Sequence, residues 1–232
     1  MSADSVAAID LGSNSFHMIV ARVADGYVQM VDRLREMVQL AAGLDGRNRL
    51  SEESQLRALD CLARFGQRLR HIPAAQLRIV GTNTLRQARN SADFVARAEA
   101  VLGHNIEIVS GHEEARLIYL GVVNSVADVF GRRLVVDIGG GSTELIIGEK
   151  FEPLHLTSLK MGCVSLSRMC FDDGRITESR FRQADREESL IHLLRVNVLK
   201  RMESAATSFA LTVGRQLRDV EATLARIEQQ PE

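Results

Sequence analysis

Asp10-Leu11-Gly12-Ser13-Asn14-Ser15 and Asp137-Ile138-Gly139-Gly140-Gly141-Ser142 are one pattern written twice in this chain. In each copy an apolar run ends at an aspartate, a Gly/Ser turn follows, and a second apolar run begins. Met18-Ile19-Val20 in the first copy falls on Leu145-Ile146-Ile147 in the second. An apolar run, a tight turn and a returning run read as a β-hairpin. An internal repeat at this distance implies two related halves. The boundary between them is expected near residues 120–130, where Gly121, Asn124, Ser125, Asp128 and Gly131 cluster.

Working outward, residues 5–32 read as three strands: Val6–Ile9, Phe16–Val23 and Tyr27–Val31. Ser51 reads as an N-cap. Leu56, Leu59, Leu62, Phe65, Leu69 and Ile72 then recur at helical spacing until Pro73. Leu77–Val80 reads as a buried strand, and Gly81-Thr82-Asn83-Thr84 leads into a helix through Arg86. Phe94, Ala98, Val101 and Leu102 continue a helical face, and Ile106–Val109 is a further strand. Ser110-Gly111-His112-Glu113 is a capping-box pattern that opens another helix. Leu134–Ile138, Thr143–Ile147 and Phe151–Leu156 repeat the opening strands. From Leu190 to Ile227 apolar residues recur by threes and fours, which predicts a long amphipathic helix.

The composition narrows the function. The chain has 232 residues, 45% of them apolar and 25% charged, with a formal net charge of -1. That balance suits a folded domain and gives no basic excess for nucleic acid. No apolar run approaches the ~20 residues of a membrane span, and the N-terminus lacks the pattern of a signal peptide. Three cysteines without a C-x-x-C pattern disfavour disulfides and zinc and fit a reducing compartment. A cytoplasmic protein is expected, with neither a nucleic-acid nor a membrane partner. Cys163 and Cys170 read as small buried hydrophobes. His17, His104, His112 and His155 show no ligand spacing and read as structural or exposed.

The repeated turns carry the chemistry. A tight Gly/Ser turn presents backbone N–H groups to anionic oxygens, and glycine allows close approach. Ser13, Asn14, Ser15, Ser142 and Thr143 add side-chain donors. Two such turns face to face would clamp a phosphate chain. Asp10 and Asp137, at the strand ends, would repel that chain unless a divalent cation intervened, and Mg2+ held through carboxylates and waters is expected. Glu113 sits at the capping position. Glu114, about a quarter-turn away, is a candidate to take a proton from an attacking water. Arg86 is a candidate phosphate ligand.

Four stretches together resemble a known family. They are 10–18 (Asp10-Leu11-Gly12-Ser13-Asn14-Ser15-Phe16-His17-Met18), 81–88 (Gly81-Thr82-Asn83-Thr84-Leu85-Arg86-Gln87-Ala88), 110–118 (from Ser110-Gly111-His112-Glu113-Glu114) and 137–145 (from Asp137-Ile138-Gly139-Gly140-Gly141). With Met161-Gly162-Cys163-Val164-Ser165 they resemble the exopolyphosphatase / guanosine pentaphosphate phosphohydrolase family, almost unbroken from Val6 to Ala184. The resemblance implies an α/β, actin-like (sugar-kinase-like) ATPase fold with two domains facing a cleft. It implies Mg2+-dependent release of terminal phosphate from polyphosphate, or of the 5′ γ-phosphate from guanosine pentaphosphate. By motif position, Glu114 would be the general base, and Asp137 and Glu144 would serve metal and water. Asn14, Ser15, Arg86, Gly140, Gly141 and Ser142 would hold phosphates.

Residues 186–232 do not resemble the family. The expected organisation is a first domain over 1–122, a partial second domain over 123–185 and a helical tail of unrelated origin over 186–232. So divided, the chain reads as truncated and chimeric, with impaired hydrolase activity. The alternative reading is a non-catalytic interaction module, inhibitor- or antitoxin-like, that pairs with itself or another protein through 190–227.

Overall fold

A computed structural model describes residues 5–24, 27–126, 131–171, 173–175, 177–180 and 182. The expected helix over 190–227, with its protein or homodimer contact, lies outside the described residues. Met1–Asp173 forms one compact unit and Gly174–Glu232 another. Both hairpins belong to the first of these.

The first hairpin joins strands β1 (Ser5–Leu11) and β2 (Phe16–Ala24), and β3 (Tyr27–Glu36) continues the meander. Helix α1 (Glu52–Leu69) begins at Ser51, whose hydroxyl accepts from the Ser54 N–H as a cap should. Strand β4 (Leu77–Gly81), the short helix α2 (Asn83–Gln87), helix α3 (Ser91–Leu102) and the two-residue strand β5 (Glu107–Ile108) follow. The sheet order is β3-β2-β1-β4-β5. β1, β2 and β3 are antiparallel, while β4 and β5 run parallel to β1. Alternation in β1 sends Ala7, Ile9 and Leu11 to one face, where they meet Phe65, Leu62 and Leu69 of α1 and Phe94 of α3 in one core. The opposite face presents Asp10 at the end of the strand.

Helix α4 (Gly111–Ser125) starts at Ser110, whose hydroxyl accepts from the Glu113 N–H. The return half of the expected capping box is replaced, because the Glu113 carboxylate takes Arg116 at 2.7 Å and Arg78 at 3.7 Å. The second hairpin joins β6 (Arg132–Ile138) to β7 (Thr143–Glu149), and β8 (Glu152–Leu159) completes an antiparallel sheet of order β6-β7-β8. The sequence places residues 111–122 with the first domain, but α4 packs on β8, β7 and β6. The reason is Tyr119. Its ring lies over Gly148, where any added Cβ would stand 2.2 Å from Cζ, and its hydroxyl donates to the Lys150 carbonyl at 3.0 Å. Ala115, Tyr119, Val123, Val135 and Ile146 form this second core. Elsewhere on this sheet Val136, Ile138 and Leu154 stay exposed.

Helix α5 (Cys163–Cys170) follows β8 and has no counterpart in the sequence reading. Cys163 and Cys170, expected to be buried, are exposed and half-buried respectively. The helix is amphipathic, and its position is set by the turn it holds.

Candidate active site

The two hairpin turns meet. A Cβ added at Gly140 would lie 3.1 Å from the Asn14 Cβ and 3.2 Å from the Ser13 Cβ, and one at Gly141 would lie 2.2 Å from the Asn83 Nδ2. Only glycine permits this approach. Between the turns runs a cleft of about 400 Å³. Of the expected site residues, Asp10, Ser13, Asn14, Ser15, Glu114, Asp137, Gly140, Gly141 and Ser142 line it. Arg86, Thr143 and Glu144 do not.

Each turn is held from behind. In the first, the Ser13 and Asn14 carbonyls accept from the Ala41 and Gln39 N–H groups, and the Thr84 hydroxyl donates to Ser13 Oγ at 2.8 Å. In the second, the first turn of α5 does the same work. The N–H of Cys163 reaches the Gly139 carbonyl, and those of Val164 and Ser165 reach the Gly140 carbonyl. Gly162 makes this contact feasible, since a Cβ there would lie 2.5 Å from the Gly140 carbonyl carbon. With the carbonyls engaged outward, the N–H groups of Ser13, Asn14, Gly140 and Gly141 have no acceptor among the described residues. All four residues line the cleft, and unpaired N–H groups in successive turn residues can serve as an anion nest.

Facing this nest is a group of carboxylates. Asp10 opens to cleft water but is deeply set. Loss of solvation, then the charges of Glu114 and Asp137, push its carboxyl up to about 7. Glu144 is fully buried and is likewise pushed up to about 7 by burial and by Glu114, against the hydrogen bond from the Ser158 hydroxyl at 2.8 Å. Burial also raises Asp137 and Glu114. At Glu114 that rise is opposed by Arg86, whose Nη1 donates to Oε2 at 2.7 Å and to the Val109 carbonyl at 2.9 Å. Arg86 is expected on phosphate, and in the structure its Nη1 holds Glu114. Thr143, also expected on phosphate, is buried with its hydroxyl donating to the Met161 carbonyl, so it fastens the turn.

The raised values reflect burial first, with carboxylate repulsion added at Asp10 and Glu144. A divalent cation between the carboxylates would favour their ionised forms. Among the described residues no group of three or more His, Cys, Asp or Glu side chains is arranged to hold an ion. Asp10 and Asp137 both line the cleft, where an ion that takes one or two carboxylates and completes its shell with water and phosphate oxygens, as Mg2+ does, would find ligands.

Two lining residues carry no function in the sequence reading. His17 accepts or donates at Nε2 to Ser15 Oγ at 2.8 Å, and Arg35 stands beside it across the β2–β3 ladder. The register is the signal that places them, and it appears only once the strands are paired.

Comparison with known proteins places this mixed α/β chain in a family. Residues 19–223 match the Ppx/GppA phosphatase family. The match runs into the 186–232 segment that the sequence analysis sets apart. The guanosine-5'-triphosphate,3'-diphosphate pyrophosphatase of Vibrio cholerae is 54% identical over 184 residues, 79% of this chain and 37% of that protein. The chain thus spans a little over a third of that curated relative's length. The Aquifex aeolicus PPX-GPPA enzyme is 27% identical with a TM-score of 0.65, over 78% of this chain and 60% of its own. An exopolyphosphatase from Cytophaga hutchinsonii is 25% identical with a TM-score of 0.67, over 90% of this chain and 63% of its own. The chain belongs to the Ppx/GppA phosphatase family. Among the described residues no helix is long and apolar enough to cross a membrane.

Proposed function

We propose that the cleft hydrolyses a terminal phosphoanhydride bond of polyphosphate or of guanosine pentaphosphate, with Mg2+. The observation that carries this reading is the pairing of two turns with unused N–H groups around one cleft whose lining also holds Asp10, Asp137 and Glu114. The N–H groups of Asn14, Gly140 and Gly141, with the hydroxyls of Ser15 and Ser142, hold phosphoryl oxygens. Asp10 and Asp137 would hold the cation, which would neutralise phosphate charge. Glu144, behind them, positions water through the polar groups around it.

Glu114 is the base. Arg86 fixes its orientation and opposes, without cancelling, the rise in basicity that burial causes. Water attacks the terminal phosphorus, and its proton passes to Glu114. The bond to the bridging oxygen breaks, and the shortened chain leaves with the electron pair, its charge met by the turn N–H groups. Such a loose transition state depends on positioning and charge stabilisation, which is what this site offers. The test is phosphate release from long-chain polyphosphate and from guanosine pentaphosphate with Mg2+. Release from either that disappears in Glu114→Gln is expected. No release from either by the folded chain would overturn the reading.

A further inference from the structure

The proposed reaction leaves one end of the cleft unused. Asp10, His17 and Arg35 stand directly opposite one another on β1, β2 and β3. Directly paired residues share a sheet face, and all three line the cleft. The row is graded in charge. Asp10 belongs to the acidic end with Glu114 and Asp137. Arg35 lies two strand spacings away, about 10 Å.

Arg33 and Arg35 share a face of β3 and neither has a partner among the described residues, but of the two only Arg35 lines the cleft. Glu36 and Asp32, on the other face of β3, are taken by Arg64 and Arg68 of α1. Among the described residues no hydrogen bond or ion pair engages the Arg35 guanidinium, although it borders a cleft built for anions. His17, between it and Asp10, is held below its usual pKa first by burial and then by Arg35 and Arg33. It therefore stands in the row as a hydrogen-bonding ring, and the positive charge comes from Arg35.

We infer that Arg35, with His17 beside it, forms a second anion subsite that binds a phosphoryl group remote from the one cleaved. The inference rests on the phosphohydrolase reading and assigns a direction to the substrate. The terminal phosphate lies against Asp10, Asp137 and Glu114, and the rest of the polyanion runs outward along the row to Arg35. Two sources share that chemistry: the interior of a linear polyphosphate, or the 3′-diphosphate of guanosine pentaphosphate. A lone orthophosphate spans only the inner end.

The test is calorimetric titration with Mg2+ present, using Glu114→Gln as the parent so that ligands persist. The ligands are orthophosphate, long-chain polyphosphate and guanosine pentaphosphate. Adding Arg35→Gln should weaken polyanion binding about tenfold, as loss of one charge-assisted contact does. Orthophosphate affinity should stay within about twofold. Arg35→Lys, which keeps the charge, should recover much of the loss. A loss confined to polyphosphate assigns the subsite to the linear chain, and one confined to the pentaphosphate assigns it to the 3′-diphosphate. If the parent binds the polyanions and Arg35→Gln binds them equally well, the subsite is wrong while the hydrolase reading stands. If the parent binds none of the three ligands, both fall.

Discussion

The turn at 12–15 and the turn at 139–142 share a backbone plan and differ in what supports them. The first grows from a core of twenty-two buried residues among those described, and its anchors, Gln39, Ala41 and Thr84, belong to that same body. The second grows from a core of five, and its carbonyls are held by a separate eight-residue helix, α5. The first supplies side chains to the cleft: Ser13, Asn14 and Ser15. The second supplies bare glycine backbone. A repeated turn can therefore reproduce the anion-binding geometry while each copy depends on different parts of the chain. The second copy is the more fragile, because fewer buried contacts define it.

Substitutions put this contrast to the test. The largest effect is expected from the residue that serves both turns alike. Glu114→Gln should lower phosphate release by about 10²–10⁴-fold, the range for loss of a general base, with the thermal midpoint nearly unchanged. Tyr119→Ala should come next. It removes the centre of the smaller core and should cost about 3–5 kcal/mol, read by denaturant titration. Protection of β6–β8 amides from hydrogen exchange should fall before that of β1–β4. Equal loss across both sheets would erase the claimed asymmetry.

Gly162→Ala should cost about 1–3 kcal/mol, because the new Cβ meets backbone that cannot turn aside. Phosphate affinity should fall with it. Thr84→Val, which removes the hydroxyl donated to Ser13, should cost about 1 kcal/mol and leave the first turn in place. If Thr84→Val proved the more damaging, the order of fragility would be reversed.

The smallest effect concerns pH. Asp10 and Glu144 ionise at about 7 in the folded chain, against ordinary values of 3.8 and 4.5. Between those limits the folded state keeps protons that the unfolded state has released. Stability should therefore fall as pH rises from about 4 to about 7 and stay low above it. The thermal midpoint at pH 8 should lie below that at pH 5, and Mg2+ should narrow the gap at pH 8. A midpoint that rises steadily over this range would contradict the cluster.

Local chemistry was the legible part of the sequence. Ser51 and Ser110 cap helices because a hydroxyl before an apolar period has one favourable use, and both hairpins follow from Gly/Ser turns between apolar runs. Asp10, Asp137 and Glu114 reach the cleft because strand ends and a helix start set their positions. What escaped depends on distant partners. The allegiance of α4 turns on Tyr119 meeting Gly148, about thirty positions away. The contacts of Arg86 with Glu114 and of Thr143 with Met161 also join residues far apart in the chain. Cys163 reads as core by residue type, yet it sits at the exposed start of α5 because Gly162 must touch the second turn. Arg35 gives no sign until the β2–β3 register sets it opposite His17.

The central claim is that both turns bind phosphate through N–H groups left free in the fold. Backbone amide chemical shifts recorded while long-chain polyphosphate is added to the Glu114→Gln protein with Mg2+ test it most directly. The account predicts that the amides of Ser13 and Asn14 and those of Gly140 and Gly141 move together, with one saturation curve. Movement confined to a single turn, or none in either, would contradict it.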